Sequence, residues 1–261
     1  MRKSDAAKKK EKRGMYVGDM YKGWIKAHEF GSSGRSHRIP GWKSRRIHQL
    51  LSDLEKRHFV LLQWNDNIVD IREQFPLLPL ESTFEIAHEF GYSHPPATRS
   101  KFEDKVIMTT DFLVTVVNGS DIKYIALCIK NSKDLENNRT IEKLKIEKEY
   151  WNRRGIEWQI STEKDISKIA ALNLCSIYTS YFWEEHVPYN EYEINKMEES
   201  LRKLVIVEGD IFEGLRKFED AYRWHKNEGL AFLRYLITSK RLETDLERRL
   251  NFSDMSMFKF S

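Results

Sequence analysis

The sequence predicts a chain of two parts, a mixed α/β or α+β core followed by a mainly helical second domain. Three observations predict this. The stretch TTDFLVTVVNGSDIKYIALCIK, residues 109–130, sets Asn118-Gly119 between two β-rich runs and reads as a hairpin. An amphipathic helix and a further short strand follow it, so antiparallel pairing and a crossover occur in one segment. After about residue 168 the texture turns helical: residues 190–206, 209–224 and 227–242 read as short amphipathic helices joined by tight links.

Taken in order, residues 1–30 read as a basic, loosely ordered segment. Residues 31–42 are rich in Gly, Ser and Arg and read as turns or a short hairpin. Residues 45–64 carry Ile47, Leu50, Leu51, Leu54, His58, Leu61 and Leu62 at helical spacing, which predicts one helix over that span. Residues 67–79 form a β-rich run closed by Pro76 and Pro79. Pro95-Pro96 marks a loop before the hairpin. Residues 140–155 predict a helix stopped at Gly155, and residues 156–162 another strand. Residues 31–168 then make the core domain and residues 169–261 the helical one. In the latter, residues 242–253 are expected to pair as the small wing of a winged-helix-like fold.

With 40% hydrophobic residues in 261, including 14 Phe, 11 Tyr and 7 Trp, a sizeable core is available. No apolar run approaches the about 18 residues of a membrane helix, and the N-terminus has no apolar signal stretch. Cys128 and Cys175 offer neither a disulfide framework nor metal spacing. These features predict a cytoplasmic protein with no membrane partner. Residues 1–50 hold 14 Lys/Arg against 4 Asp/Glu, a net of +10, whereas the whole chain is only +4. A basic front end on a near-neutral body fits a polyanionic partner.

The chemistry gathers at the mouth of the hairpin. Cys128 and Lys130 share a strand face, with Ile129 opposite, and Asp111 on the paired strand is expected close to Lys130. A carboxylate beside an ammonium at a strand mouth suits a metal-dependent nuclease. The acid ligates a hard cation such as Mg²⁺, or Mn²⁺, and the lysine orients a water. It equally suits a plain salt bridge. A second carboxylate is needed, and the helix before the hairpin supplies SDLE. Glu55 falls on the apolar stripe, where a lone carboxylate is costly unless paired or metal-bound, while Asp53 faces solvent.

The motifs SSGRSHRI, LLSDLE, DIREQFPLLP, TTDFLV and CIK, in this order over about residues 31–160, resemble the TnsA family, the endonuclease subunits of Tn7-like heteromeric transposases. The resemblance implies a restriction-endonuclease-like core of the PD-(D/E)xK class with a winged-helix-like C-terminal domain. It implies hydrolytic cleavage of double-stranded DNA at the 5′ ends of a transposon, beside a transposase (TnsB) and an ATP-dependent regulator (TnsC). Carried over by motif, the site is Glu55, Asp111 and Lys130, the three that spacing selects. Glu55 and Asp111, helped by the Ile129 carbonyl, are the expected metal ligands. The residue two before the lysine is acidic in the wider class and commonly Gln in the family, but here it is Cys128, a poor ligand for Mg²⁺.

Arg35, Arg38, Arg45 and Arg46, interleaved with Ser32, Ser33 and Ser36, suit phosphate oxygens and are the expected DNA contacts. The aromatic tail MSMFKFS reads either as a docking peptide or as a fold-closing strand. Two other functions fit the same residues: a stand-alone repair or restriction nuclease, and a catalytically dead DNA-bridging subunit.

Overall fold

The computed structural model describes residues 3–29, 35–95 and 106–260. The chain divides into two compact units, Met1–Ile166 and Ser167–Ser261. No described helix is long and apolar enough to cross a membrane.

The first unit opens with α1 (Asp5–Lys10), capped by the Ser4 side chain. Where the charge pattern suggests a loose segment, the structure has a packed one. Arg13 is fully buried and donates to both carboxylate oxygens of Glu29, at 2.7 and 2.8 Å, and to the Trp24 carbonyl at 3.0 Å. Trp24 is itself buried. Composition counts these charges but not their partners, which is why the order was not visible in it.

Next come β1 (His37–Pro40) and β2 (Ile47–Leu50), an antiparallel pair with Arg38 opposite Gln49, and then α2 (Asp53–Trp64). The helix predicted over 45–64 therefore begins only at Asp53. Ser52 is its cap: its Oγ accepts from Glu55 N at 3.0 Å and donates to Glu55 Oε1 at 3.2 Å. This reciprocal Ser-x-x-Glu capping ends the strand and starts the helix. The stretch before it pairs with β1 instead.

A four-stranded sheet of order β3-β4-β5-β6 forms the centre, from β3 (Ile68–Pro76), β4 (Thr109–Asn118), β5 (Asp121–Ile129) and β6 (Glu157–Ser161). The β4–β5 hairpin closes at Asn118↔Asp121 around Gly119, whose φ of 63° suits glycine. β6 runs parallel to β5, the crossover being α4 (Asn138–Asn152). An unanticipated helix, α3 (Leu80–Glu89), lies between β3 and β4. It packs Ile86 and Ala87 into a core with Leu77, Leu113, Ala126, Ile146 and Trp151. Each such large apolar side chain contributes about 1.5–3 kcal/mol. Phe59 of α2 stacks on Phe112 of β4, ring centroids 6.4 Å apart.

The second unit holds α5 (Lys168–Ile177), a 3₁₀ stretch Tyr178–His186, α6 (Glu191–Glu208), α7 (Ile211–Tyr222) and α8 (Glu228–Thr238). The three helices predicted from periodicity are α6 to α8. Asn190 and Glu193 form a full capping box on α6, and Gly209 ends it in the left-handed region. Residues 242–253 do not pair as a wing. One bridge, Thr244↔Phe258, joins this stretch to the tail. Met257, Phe258 and Phe260 are buried in the helical core, so the aromatic tail closes the fold. It offers no free docking peptide.

Candidate active site

The hairpin ladder ends at Phe112↔Leu127, and the next residue of β4 is Asp111. Its Oδ2 accepts from the Ile129 amide at 2.7 Å and from Lys130 Nζ at 2.9 Å. Where the backbone ladder stops, a carboxylate takes over an otherwise orphaned strand N–H. Lys130 continues β5 and donates also to the Ile129 carbonyl, at 2.9 Å. Asp111 and Lys130 are thus joined as the strand pattern predicts. Asp111 Oδ1 has no hydrogen-bond partner among the described residues.

Glu55 is buried at the first turn of α2. Oε2 accepts from Leu51 N at 2.9 Å and from Gln74 Nε2 at 3.3 Å. Burial, and after it the negative charge of Asp111, push its carboxyl up to about 8. Gln74, which donates to Glu55, lies between the β3–β4 pairs that flank Asp111. Glu147 of α4 is also buried and accepts from Thr110 Oγ1 at 2.8 Å; burial and Asp111 push it up to about 7. Thr110 in turn accepts from Trp151 Nε1 at 2.7 Å. Burial pulls the Lys130 ammonium down, but Asp111 beside it overrides this and holds it well above the ordinary lysine value. Cys128 is buried on the Lys130 face, and burial with the nearby Glu147 keeps its thiol well above the ordinary cysteine value.

Among the described residues no group of three or more His, Cys, Asp or Glu side chains is spaced to hold a metal ion. The oxygen donors present still fit a hard cation. Mg²⁺ commonly takes one or two protein carboxylates and keeps several waters. Asp111 Oδ1 has no hydrogen-bond partner among the described residues, and burial, followed by the Asp111 charge, raises the Glu55 carboxyl. The neutral Cys128 thiol adds nothing to such a donor set.

Two further groups at this site are not among the three that the sequence selects. Glu147 carries an i, i+4 charge pattern that reads as a solvated helix face, and only the packing of α4 turns it inward. Gln74 sits in the DIREQF motif without any catalytic signature. Asp53, read as solvent-facing, is more than half exposed and holds His37 Nε2 at 2.6 Å. His58 is a satisfied core histidine. Its Nδ1 donates to the Leu54 carbonyl at 2.9 Å, so Nε2 accepts from the Ser161 hydroxyl at 2.7 Å.

Of the four expected DNA contacts, Arg35, Arg38 and Arg45 lie exposed around β1 and β2. Arg46 does not join them. Its guanidinium turns inward to both carboxylate oxygens of Glu73, at 2.8 and 2.6 Å, and to the Ile71 carbonyl at 2.7 Å, over the Tyr21 ring. A buried carboxylate demands a partner, and Glu73 is one that its sequence position does not reveal. Ser32 and Ser33 lie outside the described residues.

Comparison with known proteins converges on the same segment. A family model described as TnsA-like endonuclease N terminal matches residues 65–163, which hold Asp111, Cys128 and Lys130 but not Glu55. The transposon Tn7 transposition protein TnsA of Escherichia coli is 42% identical over 170 residues, 65% of this chain. The match spans 60% of that relative's length. The mixed sheet that joins Asp111 to Lys130 therefore lies within the segment that is similar to the TnsA-like endonuclease N terminal.

Proposed function

We propose that this protein is a Mg²⁺- or Mn²⁺-dependent DNA endonuclease that cleaves the 5′ ends of a transposon. It would act beside a partner transposase of the TnsB kind and an ATP-dependent regulator of the TnsC kind. The observation that carries the reading is the junction at the hairpin mouth: one oxygen of Asp111 binds Lys130 and the Ile129 amide, while the other has no hydrogen-bond partner among the described residues. The match to TnsA, itself a transposition protein, supports the transposon setting.

A cation bound by Asp111 and Glu55, with the Ile129 carbonyl near, would polarise the scissile phosphoryl oxygen and acidify a water. Lys130, hydrogen-bonded to Asp111, would orient the attacking water and offset phosphate charge. Asp111 fixes the ammonium, and the capped start of α2 fixes Glu55. Arg35, Arg38 and Arg45 supply backbone phosphate contacts. We assign these roles to a catalytic domain of residues 31–168. The helices α6 to α8 of residues 169–261 we read as a winged-helix-like domain without a paired wing among the described residues.

The test is end cleavage by the full chain with its cognate transposase, Mg²⁺ and DNA carrying the element's ends. Asp111→Ala is expected to abolish 5′-end release while keeping the far-ultraviolet circular dichroism of the parent. Release of 5′ ends by that variant would show the assignment wrong. Cleavage by the chain alone would favour a stand-alone nuclease. The protonated Cys128 thiol favours a second reading, a catalytically silent DNA-bridging subunit. That reading predicts no metal-dependent cleavage even with partners.

A further inference from the structure

β3 and β4 pair as Glu73↔Phe112 and again as Phe75↔Thr110, with one residue of each strand between, Gln74 and Asp111. Gln74 thus lies across from the catalytic aspartate, and its backbone is not that of a strand. Its φ is 49°, in the left-handed region. Holding a non-glycine residue there costs of order 1–3 kcal/mol and persists only where the surroundings impose it. Gly would take this conformation at no steric cost and Asn with less cost than most residues. A glutamine therefore needs a reason to be here.

Its side chain gives one. Gln74 is almost fully buried. Its Nε2 donates to Glu55 Oε2 at 3.3 Å, and its Oε1 accepts from the Thr109 hydroxyl at 3.3 Å. In this arrangement the amide nitrogen faces Glu55 and the amide oxygen Thr109. The carbonyl of Gln74, redirected by the positive φ, accepts from Trp24 N at 3.0 Å. The segment around Trp24 is tied to the same point of β3: Tyr21 donates to the Glu73 carbonyl at 3.0 Å and stacks on Phe75. A Cβ on Gly23 would stand 3.0 Å from the Glu73 carbonyl oxygen, so the approach is tight.

We propose that Gln74 is a positioning residue for Glu55, and that residues 14–24 lock the left-handed turn that aims its amide. This rests on the nuclease reading above. The Glu55 carboxylate is oriented by Leu51 N and Ser52 at the helix start and by Gln74 from the sheet. Removing the sheet contact frees it to rotate away from Asp111. Partners of this kind, behind a metal-binding group, are worth about 10–100-fold in metal affinity or activity.

The experiment uses the full chain and Mn²⁺ alone, titrated by calorimetry, with end cleavage measured in parallel. Gln74→Gly tolerates the positive φ and removes only the side chain, so it keeps the fold. It is expected to bind Mn²⁺ about 10–100-fold more weakly, and to recover cleavage as the Mn²⁺ concentration is raised. Gln74→Glu, isosteric but without the donor, is expected to lose at least as much. A lost structural contact alone would lower the melting temperature and leave the Mn²⁺ dependence in place. Gln74→Gly with wild-type Mn²⁺ affinity and wild-type metal dependence of cleavage overturns the inference, provided Asp111→Ala has lost both. If Asp111→Ala binds Mn²⁺ as well as the parent does, the nuclease reading falls and this inference with it.

Discussion

Cys128 is the residue whose identity departs most from what the chemistry would choose. It shares a strand face with Lys130 and is buried near Glu147 and Asp111. Cys128→Asp places a hard oxygen ligand where the wider nuclease class has one. It also adds a like charge to a site that already raises two carboxyls. The apo variant is expected to lose about 1–3 kcal/mol through a poorly compensated buried polar group. Divalent cation should restore its melting temperature and tighten its Mg²⁺ affinity over the parent. Thermal melts with and without Mg²⁺ check this; a variant equally stable in both would show that position 128 does not face the metal.

At the scale of elements, two junctions hold the site in place. The first is the start of α2, where Ser52 caps the helix and holds the Glu55 carboxyl. Ser52→Ala is expected to cost about 1 kcal/mol in urea unfolding and, on the proposed function, to weaken cleavage as well, because the cap also holds the carboxyl proposed to bind the metal. The second ties β2 and the preceding turn to β3 through Glu73, which accepts from Arg46 and sits 2.9 Å from His48 Nδ1. Burial raises the Glu73 carboxyl, but His48 and Arg46 outweigh it and hold the group at about 2. The folded value lies below the unfolded one, so this junction stabilises the fold above about pH 4.5. The stability is lost as pH falls from there towards 2. His48, held below its ordinary value by burial, acts in the same direction, since unfolding lets it take up a proton below about pH 6.5. Arg46→Ala leaves Glu73 buried without its main cation and is expected to cost about 3–5 kcal/mol at neutral pH. The urea midpoints of parent and variant should lie closer together at pH 3 than at pH 7, since below about pH 4.5 the parent progressively loses what the ionised Glu73 contributes.

For the whole molecule, the division at Ile166/Ser167 has a physical basis in two separate apolar cores. The second unit encloses Phe218, Phe232 and Leu236 with the tail residues Met257, Phe258 and Phe260. Residues 167–261 produced alone are expected to unfold in one cooperative transition. Deleting residues 257–261 should destabilise that piece strongly, at about 1.5–3 kcal/mol for each large side chain lost from the core. A non-cooperative melt of the isolated piece would show that its core is incomplete without the first unit.

The sequence by itself determined the hairpin, the face shared by Cys128 and Lys130, the pairing of Asp111 with Lys130, and the helical second part. Each rests on local periodicity: two residues along a strand and 3.6 along a helix are properties of the backbone. The Ser52–Glu55 cap was equally local, yet the apolar spacing of residues 45–64 outweighed it and extended the helix over β2. What only the tertiary structure decided involves partners distant in the chain. Glu73 claims Arg46, Glu29 claims Arg13, α4 turns Glu147 inward, and Phe258 reaches back to Thr244. A buried charge must be met by another group, but which group meets it depends on how the elements pack, and no spacing along the chain encodes that. Gln74 is the sharpest case, because the contact that gives it a purpose joins a strand to a helix and the backbone that makes it possible is held by a third segment.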